Sequence, residues 1–156
     1  MKFICPLIVV DDIEVSKKFY TEVLDQKITM DLGANVTFAE SFAIQSKSTW
    51  TEFIDKPASE IRYQGNDAEL YFEAPDFDAS VERLKTCGVK YVHPVKEYAW
   101  GQRVVRFYDP DMHIIEVGES MMHVCRRLRA QGMTLERIVE KTMFPAEVVK
   151  FFLEGE

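Results

Sequence analysis

Two stretches of this chain, offset by 64 residues, repeat one pattern. "LIVVDDIEVSKKFYTEVLDQKI" begins at Leu7 and "LYFEAPDFDASVERLKTCGVKYV" at Leu70. Each reads as a short apolar strand, an acidic turn, an amphipathic helix and a second strand. Asp12 and Asp76 keep the 64-residue offset, as do Ser16 and Ser80. Ile13, Val15, Phe19, Val23 and Leu24 hold the helical period in the first unit, and Phe77, Val81 and Leu84 in the second, before Gly88 as a C-cap. Asp11 or Asp12 supplies the first N-cap. The match continues in "VTFAESFAIQS" and "VRFYDPDMHIIEVG", both strand, turn, strand. The chain therefore reads as a domain over 1–119 made of two βαβββ modules, about 3–55 and 66–119. Between them lies an aromatic and turn-rich segment, "STWTEFIDKPASEIRYQGND". The expected fold is α+β: two modules forming a curled mixed sheet around a cleft, plus a C-terminal helical extension over 120–156.

Composition narrows the partners. With 156 residues, 47% of them hydrophobic, the chain can bury a real core. Lys and Arg number 19 against 26 Asp and Glu, a formal charge of -7 that disfavours duplex nucleic acid. The apolar run in "MKFICPLIVVDD" stops at Val10, too short for a signal peptide core or a membrane span, so a cytoplasmic protein without membrane contact is expected. Cys5, Cys87 and Cys125 are odd in number and lack paired spacing, which argues against a disulfide framework and for a reducing compartment.

Strand alternation singles out a set of site residues. In 69–73, Leu70 and Phe72 face the helix, leaving Glu69, Tyr71 and Glu73 on the other face. In 113–117, Ile115 and Val117 take the helix side, so Glu116 points into the cleft. The repeat maps Glu69 onto Cys5 and Glu116 onto Gln45, giving four related positions that are expected to converge. A lone Glu on a half-exposed strand is ordinarily solvated, and a lone Cys is ordinarily a small buried hydrophobe; the repeat raises both above that background. Trp100 and Gly101 precede the last hairpin, and Arg103 and Arg106 lie on opposite faces of its first strand. An inward arginine could hold an anionic group bidentately. Trp50 and Phe53 suit a lid or a dimer contact, with packing the simpler role.

These modules, with "VVDDIEVSKKFYTEVL", "FEAPDFDASVERLKTCGV" and "VVRFYDPDMHIIEVGE", resemble the vicinal oxygen chelate superfamily, which includes glyoxalase I, bleomycin-resistance proteins and extradiol dioxygenases. The likeness covers residues 3–119. It implies a metal ligand from each of the four repeat-related positions, commonly His, Glu, His and Glu; here they are Cys5, Gln45, Glu69 and Glu116. Both usual histidines are missing. His113 faces away from Glu116, His93 precedes Pro94 in a loop, and His123 lies in the tail. Met112 replaces the glycine usual in this turn, which puts a left-handed backbone there in doubt. Two carboxylates and an amide oxygen suit magnesium or manganese, while Cys5 would favour a softer ion such as zinc. The resemblance implies a glyoxalase-like lyase or isomerase that moves a proton next to a carbonyl, assisted by one divalent metal ion. Glu116 and Glu69 would be its catalytic residues, and Tyr71, Trp100, Arg103, Arg106 and Gln45 would bind substrate. Without a metal, the two carboxylates would share a proton. The alternative is a metal-free protein that sequesters a small molecule or antibiotic, as bleomycin-resistance proteins do. A homodimer is expected in either case.

After Glu119 helical periodicity takes over. Ser120 caps a helix with Met121, Val124, Cys125 and Leu128 as its stripe. Thr134 caps a second helix with Leu135, Ile138 and Val139 inward, and Pro145 opens a third. "GMTLERIVEKTMFPAEVVKFF" is similar to a helix-turn-helix, yet residues 121–156 carry six Lys and Arg against five Glu, too balanced for a phosphate-binding face. A structural or dimerising role is expected for this tail.

Overall fold

The computed structural model describes residues 1–39 and 41–155; Glu40, part of the stretch expected as the first strand, turn, strand, and Glu156, counted in the tail's charge, lie outside the described residues. The chain divides into two compact units, Met1–Ala68 with Tyr108–Ile114, and Glu69–Phe107 with Ile115–Glu156.

The first unit contains β1 (Leu7–Val10), α1 (Ile13–Glu22), β2 (Ile28–Asp31), β3 (Asn35–Phe38) and β4 (Phe42–Ser46). Its sheet runs in the order β1-β4-β3-β2. β1 is parallel to β4, with Val9 opposite Gln45. Asp12 is the N-cap of α1, accepting from the Glu14 and Val15 amides. The helix buries Tyr20 against Phe38 and Phe42, with ring centroids 5.4 and 5.1 Å away. An eight-residue helix, α2 (Lys47–Ile54), follows β4 where the sequence shows only aromatic and turn residues. Its apolar residues, Trp50, Phe53 and Ile54, span little more than one turn, too short a run for periodicity to reveal, and none is fully buried. Asp55, at φ 53, ends it in the left-handed conformation.

The turn over 109–112 also belongs to this unit. The Met112 amide donates to the Asp109 carbonyl at 3.1 Å, with Pro110 at the turn position that its fixed φ suits. Met112 itself is left-handed at φ 69, so the backbone keeps the conformation that the missing glycine had put in doubt. Asp109 holds it there. Its Oδ1 accepts from the amides of Asp111 and His113, and its Oδ2 from Tyr20 Oη at 2.8 Å and from His113 Nδ1 at 2.9 Å.

The second unit repeats the topology. β5 (Glu69–Ala74), α3 (Phe77–Thr86), β6 (Lys90–Glu97), β7 (Arg103–Tyr108) and β8 (Ile114–Glu119) form a sheet ordered β5-β8-β7-β6. Asp76 caps α3 as Asp12 caps α1, and Gly88 follows that helix at φ 66. His93 and Pro94 lie within β6 rather than in a loop. Proline is tolerated there because β6 is an edge strand, whose outward amides need no partner in the sheet.

Three helices complete this unit: α4 (Met121–Ala130), α5 (Leu135–Thr142) and α6 (Ala146–Glu154), capped by Ser120 and Thr134 as the sequence suggested. Val124, Cys125, Leu128, Ile138 and Val149 form their shared core, and burial pushes the Cys125 thiol up. No helix among the described residues is long and apolar enough to cross a membrane.

Glu119, 2% exposed, ties these helices to the sheet. It accepts from Arg103 Nε at 3.1 Å and from Arg127 Nη2 at 2.9 Å. Arg127 also reaches the Gly101 carbonyl at 2.6 Å. Gly101 is at φ 88, and a Cβ there would stand 3.3 Å from Leu128 and Val124, so this turn requires glycine on both counts.

Two stability changes follow from these buried carboxylates. Tyr20→Phe removes a donor from a buried, charged acceptor and should lower stability by about 2 kcal/mol, read from urea midpoints at constant slope. Glu119→Gln should cost about 3 kcal/mol, because it removes the buried charge that Arg103 and Arg127 both meet. Burial raises the Glu119 pKa, but the hydrogen bonds from Arg127 and Arg103 outweigh it and leave the carboxyl below its ordinary value of 4.5. Its contribution is therefore complete above that ordinary value and fades as the pH falls through the lower folded one. The variant's deficit should shrink in acid accordingly.

Candidate functional site

Alternation along the second sheet sorts its charges. Arg103 faces α3, where it meets Asp78 at 2.8 Å as well as Glu119. Arg106, three residues on, faces the other way. Its Nε donates to Glu69 Oε2 at 2.7 Å and its Nη1 to Tyr98 Oη at 2.7 Å, while its Nη2 forms an ion pair with Glu116 Oε2. Glu116 is 6% exposed, and among the described residues its Oε2 accepts no properly directed hydrogen bond. Burial opposes the charge on Arg106, but Glu69 more than compensates and raises its pKa.

The network continues across this face. Tyr98 stacks on Trp100 with ring centroids 4.6 Å apart and planes 11° from parallel. Trp100 Nε1 donates to Gln102 Oε1 at 3.1 Å, and Gln102 Nε2 donates to Tyr71 Oη at 3.1 Å. Tyr71 donates in turn to Glu73 at 3.0 Å. Burial and that acceptor push the Tyr71 phenol up to about 12, so it keeps its proton at neutral pH. The ring lies over Gly118, where a Cβ would stand 2.9 Å from Tyr71 Cε2. Without glycine there, the ring could not lie flat on the strand.

Glu69, Tyr71, Trp100, Arg106 and Glu116 thus come together on one face of one sheet. Arg103 does not, because alternation places it on the α3 side. Gln45, 3% exposed, lies in the first unit, accepting from Asn35 Nδ2 at 2.8 Å and donating to Thr49 Oγ1 at 2.5 Å. Cys5 precedes β1, and within that unit the residue opposite Gln45 is Val9, so the two are not side by side.

His93, Tyr98 and Gln102 belong to this network although the sequence did not point to them. Pro94 masked His93, whose Nδ1 lies 2.7 Å from the Pro94 carbonyl and whose Nε2 lies 3.4 Å from Arg106 Nη1. A carbonyl only accepts, so the neutral ring carries its proton on Nδ1 and turns its Nε2 lone pair to Arg106. Tyr98 and Gln102 lie in the turn between β6 and β7, where strand alternation gives no signal.

This arrangement does not fit the metal set expected from the sequence. A guanidinium already fills the space between the Glu69 and Glu116 carboxylates, and a divalent cation there would meet its like charge. Among the described residues, no three His, Cys, Asp or Glu are grouped to hold a metal ion.

The family model for a glyoxalase-like domain matches residues 3–122. The chain belongs to the glyoxalase-like domain family. α4, α5 and α6 lie almost wholly beyond that match. Solved structures agree on the fold. A protein of unknown function from Agrobacterium tumefaciens str. C58 is 41% identical, with a TM-score of 0.68 over 77% of this chain and 94% of that one. A glyoxalase/bleomycin resistance protein/dioxygenase from Nocardioides is 22% identical, with a TM-score of 0.62 over 76% of this chain and 83% of that one. Lactoylglutathione lyase from Agrobacterium tumefaciens is 20% identical, with a TM-score of 0.60 over 76% and 93%. No curated protein matches. The superfamily includes enzymes and binds small molecules, and its members often hold metals.

Arg106→Gln leaves the buried Glu116 charge without its partner and should destabilise the protein by about 3 kcal/mol near neutral pH. Adding Glu116→Gln should recover most of that loss. Urea denaturation of both single variants and the double variant measures the coupling.

Proposed function

We propose that this glyoxalase-like domain binds a small organic molecule on the Arg106 face of its second sheet without a protein-held metal ion, as a sequestering protein of the bleomycin-resistance type does. The observation that carries this reading is the Arg106 guanidinium between Glu69 and Glu116. It supplies the positive charge that a metal supplies in a metal-dependent relative, and it also donates hydrogen bonds. The stacked Tyr98 and Trp100 and the half-exposed Tyr71 ring offer apolar surface to a ligand; Glu69, Glu73 and Gln102 offer polar groups. Gln45 and Cys5 have no part in this reading as metal ligands. A homodimer in the cytoplasm completes it.

A second reading is favoured by one feature of Glu116. An oxygen that is buried and accepts no directed hydrogen bond can take a proton from a bound substrate. On that reading the domain is a glyoxalase-like lyase or isomerase, with Glu116 as base, Arg106 stabilising the developing oxyanion and Glu69 holding Arg106.

The two readings separate in one set of measurements on protein purified without a chelating tag. Elemental analysis should find well under one divalent ion per chain, in the native protein and in Glu116→Gln alike. A thermal-shift screen should yield ligands that raise Tm in the native protein but not in Arg106→Gln or Trp100→Ala. A stoichiometric metal lost in Glu116→Gln would refute the metal-free site. Exchange of the α-proton of an α-hydroxycarbonyl into D2O, abolished by Glu116→Gln, would establish the second reading instead.

A further inference from the structure

The first unit contains a cavity of about 410 Å3 that the site above does not use. Ile8, Trp50, Ile54 and Tyr63 give it an apolar body, and Arg62 and His113 stand in its lining. We infer that this cavity is a separate ligand site for a small aromatic hydroxy acid, with the carboxylate on Arg62, the ring against Trp50 and Tyr63, and the hydroxyl donating to His113 Nε2.

His113 is built for that task. Its Nδ1 lies 2.9 Å from Asp109 Oδ2, and the Asp109 side chain is completely buried. Asp109 is fixed in turn by the Tyr20 hydroxyl and two backbone amides. A carboxylate only accepts, so the neutral imidazole carries its proton on Nδ1 and presents Nε2 as a lone pair. No hydrogen bond to Nε2 occurs among the described residues, and the side chain is 23% exposed. The Tyr63 ring meets the imidazole edge to face at 5.8 Å and 84°, which fixes the ring plane. Tyr63 is itself held by its hydroxyl, which donates to Asp11 Oδ1 at 3.0 Å. Lys47 neutralises Asp11 at 3.0 Å and also lies 5.0 Å from the Tyr63 ring centroid. The acceptor is thus placed by three successive contacts before any ligand arrives.

Arg62 sets the charge of the ligand. It is exposed and forms no ion pair among the described residues, whereas Glu60, the acidic residue of the lining, is engaged by Lys56 at 3.6 Å. A free guanidinium at the rim selects a carboxylate, which it can hold bidentately. Ile8, Trp50 and Ile54, in the same lining, give the ring of such a ligand its apolar surface.

Calorimetric titration of the full chain with 4-hydroxybenzoate tests the assignment, with benzoate and phenol as the ligands missing one group each. The hydroxy acid should saturate one site per chain, and each truncated ligand should bind about tenfold more weakly. Arg62→Gln, at an exposed position that does not threaten folding, should weaken binding about tenfold, as should His113→Phe. Glu69→Gln, in the other site, should leave it unchanged. In 15N spectra of the three histidines, the His113 Nε2 resonance should move on titration while those of His93 and His123 stay. Absence of saturation, an unmoved His113, or binding that Arg62→Gln leaves intact would overturn the assignment.

Discussion

Burying a carboxylate costs several kcal/mol unless its charge is met by a cation or by directed donors. The eleven residues from Asp109 to Glu119 hold three deeply buried ones: Asp109 at 3% exposure, Glu116 at 6% and Glu119 at 2%. Each is met differently, and each solution fixes a different part of the molecule. Asp109 takes neutral donors, and these lock the Tyr20 end of α1 and the turn itself. Glu119 takes two arginines from different elements, and so joins α4 to β7. Glu116 shares one arginine with Glu69, and so joins β5 to β7 on the face that carries the aromatic network.

Backbone rules explain what was legible in the sequence. Strand alternation depends only on the pleat, so it placed Glu116 away from α3 and put Arg103 and Arg106 on opposite faces without knowledge of any partner. The 64-residue repeat likewise exposed the duplicated βαβββ order, because matching caps and apolar periods survive where other residues change. What the sequence concealed were features set by partners distant in the chain. Helix α2 has no buried stripe. The strand around Pro94 is possible only because β6 is at an edge, which no local pattern encodes. Met112 adopts φ 69 against its own preference because Asp109 organises the turn around it.

The same distinction governs the site. The sequence showed which carboxylates share a face, and the family resemblance implied a metal between them. The sequence also showed an arginine that could face inward, but not that this arginine would fall between those acids. Once it does, the chemistry changes in kind. A divalent ion offers open coordination positions and can polarise two neighbouring oxygens at once. A guanidinium offers a planar fork of N–H donors with fixed directions, and Arg106 has already directed them to Glu69 and Tyr98, meeting Glu116 by charge. What it can still give a ligand is charge and shape beside the Tyr98 and Trp100 rings, and that favours recognition over Lewis-acid chemistry on this face.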